Sequence, residues 1–530
     1  MELKQLLEAY MPDGRQEQTA KEAILNGLEQ QGTALLERTE EQHMTVSAVV
    51  MNPALDRLLM VHHNVYQSFS WPGGHADGTE NLLEKALEEV REETGISTVY
   101  PISSEILSLD VLEAPGHVKN GAEIPPHWHY NAGFGCIAPE RQELRVKPDE
   151  NSRVEWIAAE DIAKSCTEAH MLPLYQKIIA RMREIEARRK RLYGLLPDAC
   201  IPWYREHARE LPWRRDKDPY HVWVSEIMLQ QTRVEAVKKY YTRFLDAFPT
   251  VQALAQAGEG RLMKLWEGLG YYSRARNLQK AAKKIVEDFA GRFPENYDDI
   301  LSLPGVGAYT AGAISSICFE QPAPAVDGNV LRVIARIMED YEDIGTPQMK
   351  AKITAALQSV YPAGQCGDFT QSLMELGATV CLPDGQPLCG QCPAARFCRA
   401  HKNGTELDLP VKAKKKARRI EEKTVFLLRC GSWTAVCRRE DSGLLAGLWQ
   451  FPNVPGALTE EQAIAQCEAW GAEPADLERA VRKKHIFTHV EWHMMCYHIR
   501  CKAAPPQFTW AEPADFQHRI ALPTAFRKFL

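Results

Sequence analysis

From about residue 200 to residue 380 the chain reads as helix almost without a break, and strand-like runs lie on both sides of that block. The helical block is punctuated only by short proline turns, LPW, DPY, FPT, FPEN and LPGVG. Before it come MTVSAVVMN and DRLLMVHH, and after it strands resume at TVFLLR. Sheet and helix in such blocks exclude a single layer architecture and require several domains, which suits 530 residues at roughly 150 per domain. No apolar run approaches the roughly 18 residues of a membrane span. The start, MELKQLLEAY, has no basic-then-apolar leader pattern. Fourteen mostly scattered cysteines point to a reducing, cytoplasmic setting.

Charge divides the chain unevenly. Residues 1–180 hold 14 Lys+Arg against 29 Asp+Glu, a balance of −15, and the remaining 49 and 41 leave +8 on residues 181–530. Any polyanion is therefore expected on the second part. The stretch 409–423, LPVKAKKKARRIEEK, gathers seven basic residues and reads as a solvated linker.

The acidic part has its own concentration point. EEVREETGI, residues 88–96, places Glu89, Glu92 and Glu93 at i, i+3 and i+4, so one helix turn aims three carboxylates at one place. Alone this is most simply a solvated acidic face, because like charges at that spacing repel. It is also how a helix presents oxygen ligands to Mg²⁺, which uses a few carboxylates together with substrate phosphates. Gly74, Glu80, Glu89, Glu92, Glu93, Gly95 and Ile96 together resemble the Nudix box. The resemblance covers about residues 43–185. It implies an α/β/α sandwich that hydrolyses nucleoside diphosphate derivatives with Mg²⁺ held by Gly74, Glu89, Glu92 and Glu93. Where that family carries an arginine this chain has Glu88, so a binding module without turnover stands as the alternative.

Three features of the helical block belong together. LPGVGAYTAG (303–312) joins two helices through Pro304, Gly305 and Gly307, a turn able to aim backbone N–H groups at a phosphate. VWVSEIMLQQT (222–232) buries Glu226 among apolar residues, where a carboxyl becomes a general acid. AVDGNVLRV (325–333) puts Asp327 at a helix start. Together they resemble the helix–hairpin–helix DNA glycosylases, in particular the adenine-specific branch that acts opposite 8-oxoguanine, from about residue 200 to the C-terminus. The resemblance implies that Glu226 protonates adenine and Asp327 stabilises the sugar cation. It also implies that Gly305, Gly307, Tyr309, Gln231 and Tyr271 meet DNA, Tyr271 as a wedge. The lyases resembling endonuclease III carry a Schiff-base lysine where this chain has Tyr309, so a monofunctional enzyme is expected and a lyase is the alternative.

Cys381, Cys389, Cys392 and Cys398 form C-x₇-C-x₂-C-x₅-C. Spacing leaves zinc and an iron–sulfur cluster open; the resemblance implies a 4Fe–4S cluster. The family's first gap usually has six residues, often basic, whereas LPDGQPL has seven and none basic. Residues from about 423 to the end, with SGLLAGLWQFP and KHIFTHVEW, resemble the family's C-terminal recognition domain, a degenerate Nudix-like α+β fold without a glutamate box. Phe487, Thr488 and His489 then match its 8-oxoguanine-reading loop.

The expected arrangement is a Nudix domain over 1–186, an all-α helix–hairpin–helix glycosylase domain with its cluster loop over 187–400, a basic linker over 401–422 and a Nudix-like reader over 423–530. The expected partners are duplex DNA with A opposite 8-oxoguanine or G, and a nucleoside diphosphate derivative. No membrane partner is expected, and the chain is expected to act as a monomer.

Overall fold

The computed structural model describes residues 3–38, 41–114, 116–119, 122–413 and 418–530, with the side chains of 117–119 and 122–124 left aside. Two compact units emerge. The first comprises Met1–Glu206, Val326–Val360 and Ser372–Lys412, the second His207–Ala325, Tyr361–Gln371 and Ala413–Leu530.

The first unit contains an eight-stranded mixed sheet ordered Asn151–Ala158, Arg57–His63, Gln42–Met51, His127–Ile137 and Tyr100–Pro101. Its two central strands, Gln42–Met51 and His127–Ile137, run parallel in unbroken register. Parallel pairing needs cover on both faces. One face supplies Met44, Val46, Tyr130 and Phe134 to a core with Ile24 of the helix Arg15–Gln31 and Leu82 and Ala86 of the helix Leu82–Thr94. The other supplies Val49 and Met51 to a core with Tyr175, Ile178 and Met182 of the helix Leu172–His207. This is the expected α/β/α sandwich. The helix Leu172–His207 runs unbroken through the boundary expected near residue 187.

The same unit holds the helices Gly328–Met338 and Pro347–Gln358, then the cysteine loop and the short helix Arg399–Asn403. The stretch expected as a linker therefore opens with helix, and strand begins again at Arg419. Its lysine-rich centre, residues 414–417, lies outside the described residues.

The second unit combines helices, among them Pro219–Leu229, Ser273–Asp288 and Ala308–Phe319, with a seven-stranded sheet. In that sheet the long strands Arg419–Cys430 and Val490–Cys501 are again parallel neighbours. The central pairing of the first sheet thus recurs. Its companion helix Glu460–Ala469 buries Ala463 and Cys467 and leaves its glutamates exposed, so it presents no inward carboxylate cluster. Among the described residues no helix is long and apolar enough to cross a membrane.

Candidate active sites

The glutamate helix Leu82–Thr94 is held at both ends. Asn81 caps it by accepting from the Glu84 N–H, and Gly95 closes it in the left-handed region at φ +73°. Leu82, Ala86 and Val90 face the core, and this orientation carries Glu89 and Glu93 inward with them. A Cβ on Gly74 would lie 2.5 Å from the Glu89 carboxyl carbon, so only glycine admits that carboxylate. Glu93 accepts the Gly73 N–H at 3.0 Å. Burial pushes the Glu93 carboxyl up to about 8, the Gly73 hydrogen bond opposing the shift. Glu92 is exposed and lies 3.5 Å from Lys147. The structure thus gathers Gly74, Glu89 and Glu93 closely, with Glu92 on the outer side of the same turn.

Glu88 takes no part in this core. It faces solvent, 3.2 Å from Lys85 Nζ, and the same ammonium lies 2.9 Å from Glu89. Burial lowers the Lys85 pKa, but its bonds to Glu89 and Glu88 outweigh that and leave it raised. A cation does neutralise the box glutamate here, supplied from one turn earlier. The sequence signal was the i, i+4 spacing of Lys85 and Glu89.

In the second unit, Asp218 caps the helix Pro219–Leu229 by accepting from the Tyr220 and His221 N–H groups, and proline sits in its first turn. Residues Val222 to Met228 are all buried, which leaves Glu226 surrounded by apolar packing. Tyr309 donates its hydroxyl to Glu226 Oε2 at 2.7 Å. The phenol of Tyr309, a residue expected among the DNA contacts, is turned to the buried acid. Gly305, at φ +78°, makes the hairpin turn, and a Cβ there would sit 2.7 Å from Asn277 Cβ. At Gly307 an added Cβ would meet nothing within 4 Å, so its backbone is open to an approaching group.

Tyr271 and Thr488 meet: their hydroxyls are 2.8 Å apart. Tyr271 is exposed and sits at φ +45°, and Gln231 is likewise left-handed at φ +58°. Thr488 and His489 form the exposed turn between Pro474–Ile486 and Val490–Cys501, with Phe487 N–H bonded to Val490 O at 2.8 Å. Phe487 lies edge-on against Trp492, centroids 4.8 Å apart, which fixes the turn to the sheet.

Asp327 belongs to the first unit. It caps the helix Gly328–Met338, accepting from Asn329 N–H (2.9 Å) and Val330 N–H (2.8 Å), and from the Asn329 amide at 2.9 Å. Burial raises its pKa while these bonds pull the other way. From there a chain of contacts leads to the cysteines. Arg332 donates to Asn329 Oδ1 at 3.0 Å and to Cys381 O at 2.9 Å, and Arg336 donates to Cys381 Sγ at 3.3 Å.

The four cysteines line one pocket together with Val333, Ile337 and Leu376. Burial, with the charge of neighbouring cysteines, lifts Cys392 to about 11 and Cys398 to about 12. Four thiols around one apolar space, with an arginine N–H directed at one sulfur, are a donor set that fits an iron–sulfur cluster.

Three family models match the chain. Residues 41–178 and 424–530 each match a NUDIX domain model, and residues 224–359 match the HhH-GPD superfamily of base excision DNA repair proteins. The adenine DNA glycosylase of Homo sapiens is 35% identical over 396 residues, covering 62% of this chain and 72% of its own length. The chain belongs to the adenine DNA glycosylase family. The adenine DNA glycosylase of Arabidopsis thaliana is 40% identical over 304 residues, covering 49% of this chain and 47% of that protein. A solved thermostable thymine-DNA glycosylase is 28% identical, covering 41% of this chain and 98% of that chain, with a TM-score of 0.37.

This adenine DNA glycosylase acts in base excision repair on DNA and carries Nudix domains at 41–178 and 424–530. Arg274 is a residue of the glycosylase that sequence reasoning passed over. Buried, it donates to the carbonyls of Ile227 (2.8 Å), Met228 (3.0 Å) and Gln230 (2.6 Å), and to those of Leu269 (2.9 Å) and Gly270 (3.2 Å). It joins the end of the Glu226 helix to the loop bearing Tyr271. Burial pulls its pKa down to about 10. Nothing in SRARNL marks this arginine as an internal one.

Proposed function

We propose that the glycosylase excises adenine opposite 8-oxoguanine or G without cutting the strand, and that its N-terminal domain hydrolyses a nucleoside diphosphate derivative. The observation that supports the first part is the Tyr309 hydroxyl on the buried Glu226 carboxyl, at the position where a lyase would hold its lysine. Target adenine leaves the stack first, since its reactive edge is unreachable inside a duplex. Tyr271 fills the gap, and Thr488 beside it belongs to the turn that reads the opposite base. Tyr309 holds Oε2 of Glu226, and Oε1 delivers the proton to adenine N7. The C1′–N9 bond breaks with its electron pair leaving on neutral adenine. The Asp327 carboxylate stabilises the resulting sugar cation. Water adds its hydroxide to C1′ and releases its proton, which restores the acid.

A 4Fe–4S cluster held by Cys381, Cys389, Cys392 and Cys398 would fix the loop that Arg332 ties to Asn329 and Asp327. Mg²⁺ held by Gly74, Glu89, Glu92 and Glu93 would supply charge neutralisation for a diphosphate. Lys85 keeps Glu89 oriented, the task that Glu88 cannot perform. The preferred nucleotide is 8-oxo-dGTP, because its removal serves the lesion that the glycosylase meets in DNA.

Single-turnover excision on A opposite 8-oxoguanine tests the first reading. Glu226→Gln should slow it by about 10²–10⁴-fold while duplex binding stays, and borohydride should trap no stoichiometric adduct. Near-normal excision by this variant, or efficient trapping, rejects the assignment. For the second reading, Glu92→Gln should abolish 8-oxo-dGTP hydrolysis and leave adenine excision intact. Should wild type turn over no nucleotide with Mg²⁺ or Mn²⁺, the N-terminal domain is a binding module.

A further inference from the structure

Three histidines of the N-terminal sheet have no part in the glutamate helix. His43 and His129 are register partners on the parallel strands Gln42–Met51 and His127–Ile137. His75 ends the strand Gly73–His75, which pairs antiparallel on the other side of Gln42–Met51 and sets His75 opposite Thr45. Residues two apart on a strand share a face, so His43, Thr45 and His75 do. Ring centroids are 4.9 Å apart for His43 and His75, 5.0 Å for His43 and His129, and 5.4 Å for His75 and His129. One nitrogen from each lies within 4.8 Å of the other two.

That spacing suits a metal. Nitrogens bound at about 2.0–2.1 Å to one tetrahedral centre stand about 3.4 Å apart. The outer contacts also set a tautomer. His127 Nδ1 lies 2.9 Å from the Pro125 carbonyl, which can only accept, so Nδ1 carries the proton. In the neutral ring Nε2 then accepts from His129 Nε2 at 3.0 Å. Such an imidazole-to-carbonyl relay is how metal-binding histidines are oriented from behind. An all-imidazole donor set selects zinc and its transition-metal neighbours and is a poor match for Mg²⁺, which wants oxygen.

We propose that His43, His75 and His129 form a second metal site in the N-terminal domain, for a zinc-class divalent ion, oriented through His127. The site is distinct from the glutamate helix, and it stands whether or not the domain hydrolyses nucleotides.

The test uses the full-length protein with its cysteine loop loaded with iron. Equilibrium dialysis against micromolar Zn²⁺ with Mg²⁺ in large excess, followed by metal analysis, should leave one zinc per chain in wild type and in Glu92→Gln. Zinc-edge X-ray absorption on wild type should show imidazole nitrogens and oxygen and no sulfur. His75→Asn and His129→Asn should each weaken zinc binding by more than about tenfold, with zinc-free melting temperatures that match wild type. Zinc absent from wild type, sulfur around the ion, loss of zinc in Glu92→Gln, or full retention in both histidine variants overturns the proposal. The absorption spectrum of wild type decides the matter even if a histidine variant fails to fold.

Discussion

Lys85 is the counter-ion of the acidic turn. It reaches Glu89 at 2.9 Å and Glu88 at 3.2 Å, so the helix turn that gathers like charges carries its own counter-ion. Removing it takes away the cation that pairs with Glu89 at 2.9 Å beside the buried Glu93, and losing one partner of a buried pair is costly. Lys85→Met is expected to lower nucleotide hydrolysis by about tenfold or more, the scale of losing a charge-assisted bond of about 1.5–3 kcal/mol. Glu88→Arg in that background should recover most of the loss, and in wild type it should change little. A steady-state assay of the four proteins reads this out. Equal activity in wild type and Lys85→Met would show that Lys85 orients nothing. At Tyr309 the same scale of argument applies: its phenol supplies a hydroxyl to the buried acid, 2.7 Å away.

At the level of elements, the helix that bears Glu226 is fixed at both ends by different means. Asp218 satisfies donors at its start, and Arg274 gathers carbonyls at its finish. The final carbonyls of a helix have no partner within it, and here they are buried. The same guanidinium bonds Leu269 and Gly270 in the loop of Tyr271, so the Glu226 helix and the Tyr271 loop are held by one side chain. Arg274→Ala strands several buried carbonyls, each costing about 1–3 kcal/mol. A loss of about 3–5 kcal/mol is expected in urea unfolding, and excision should fall with it in the fraction that still folds. Lysine should not rescue, because a point charge on a flexible stem cannot reproduce the planar fork by which Nη1 and Nη2 reach two sets of carbonyls. A stability change below about 1 kcal/mol, the worth of an ordinary hydrogen bond, would contradict this role.

Over the first unit as a whole, the Nudix sheet and the cluster-side helices are joined through buried polar groups. Arg189, inside the long helix, donates to Ile102 O at 2.9 Å, Met338 O at 3.0 Å and Glu339 O at 2.5 Å. The buried Glu339 carboxylate accepts from Ser104 (2.8 Å), Asn403 (2.8 Å) and Thr405 (3.1 Å), and Arg399 pairs with Glu105 at 2.9 Å. Burial raises the Glu339 pKa against these bonds. A junction made of coupled buried polar groups is rigid and fails when one member goes. Arg189→Ala is therefore expected to cost about 3–5 kcal/mol and to split unfolding into two transitions. Limited proteolysis should then cut near residues 187–207 under conditions where wild type resists. A single, unshifted transition would show that the two parts do not stabilise each other.

Much of this was legible in the chain itself. Glu89, Glu92 and Glu93 repeat on one helix turn, Asp327 stands before a glycine-started helix as a cap, and four cysteines sit close along the chain. These are local spacings, and local spacing survives in a string of letters because backbone geometry repeats every 3.6 or 2 residues. The sandwich and the helical block followed from the same periodicities. Other features join residues far apart in the chain, and no local pattern announces them. Tyr309 meets Glu226 across 83 positions and Tyr271 meets Thr488 across 217, contacts that exist only once helices and sheet are packed. Arg274 looks like any surface arginine until its neighbours close over it. The three histidines lie at 43, 75 and 129 and share a face only because their strands pair side by side in one register. The sequence determined which chemistry each segment carries. The tertiary structure alone decided which carriers meet, because hydrogen bonds and ion pairs act over a few ångströms in space, regardless of separation along the chain.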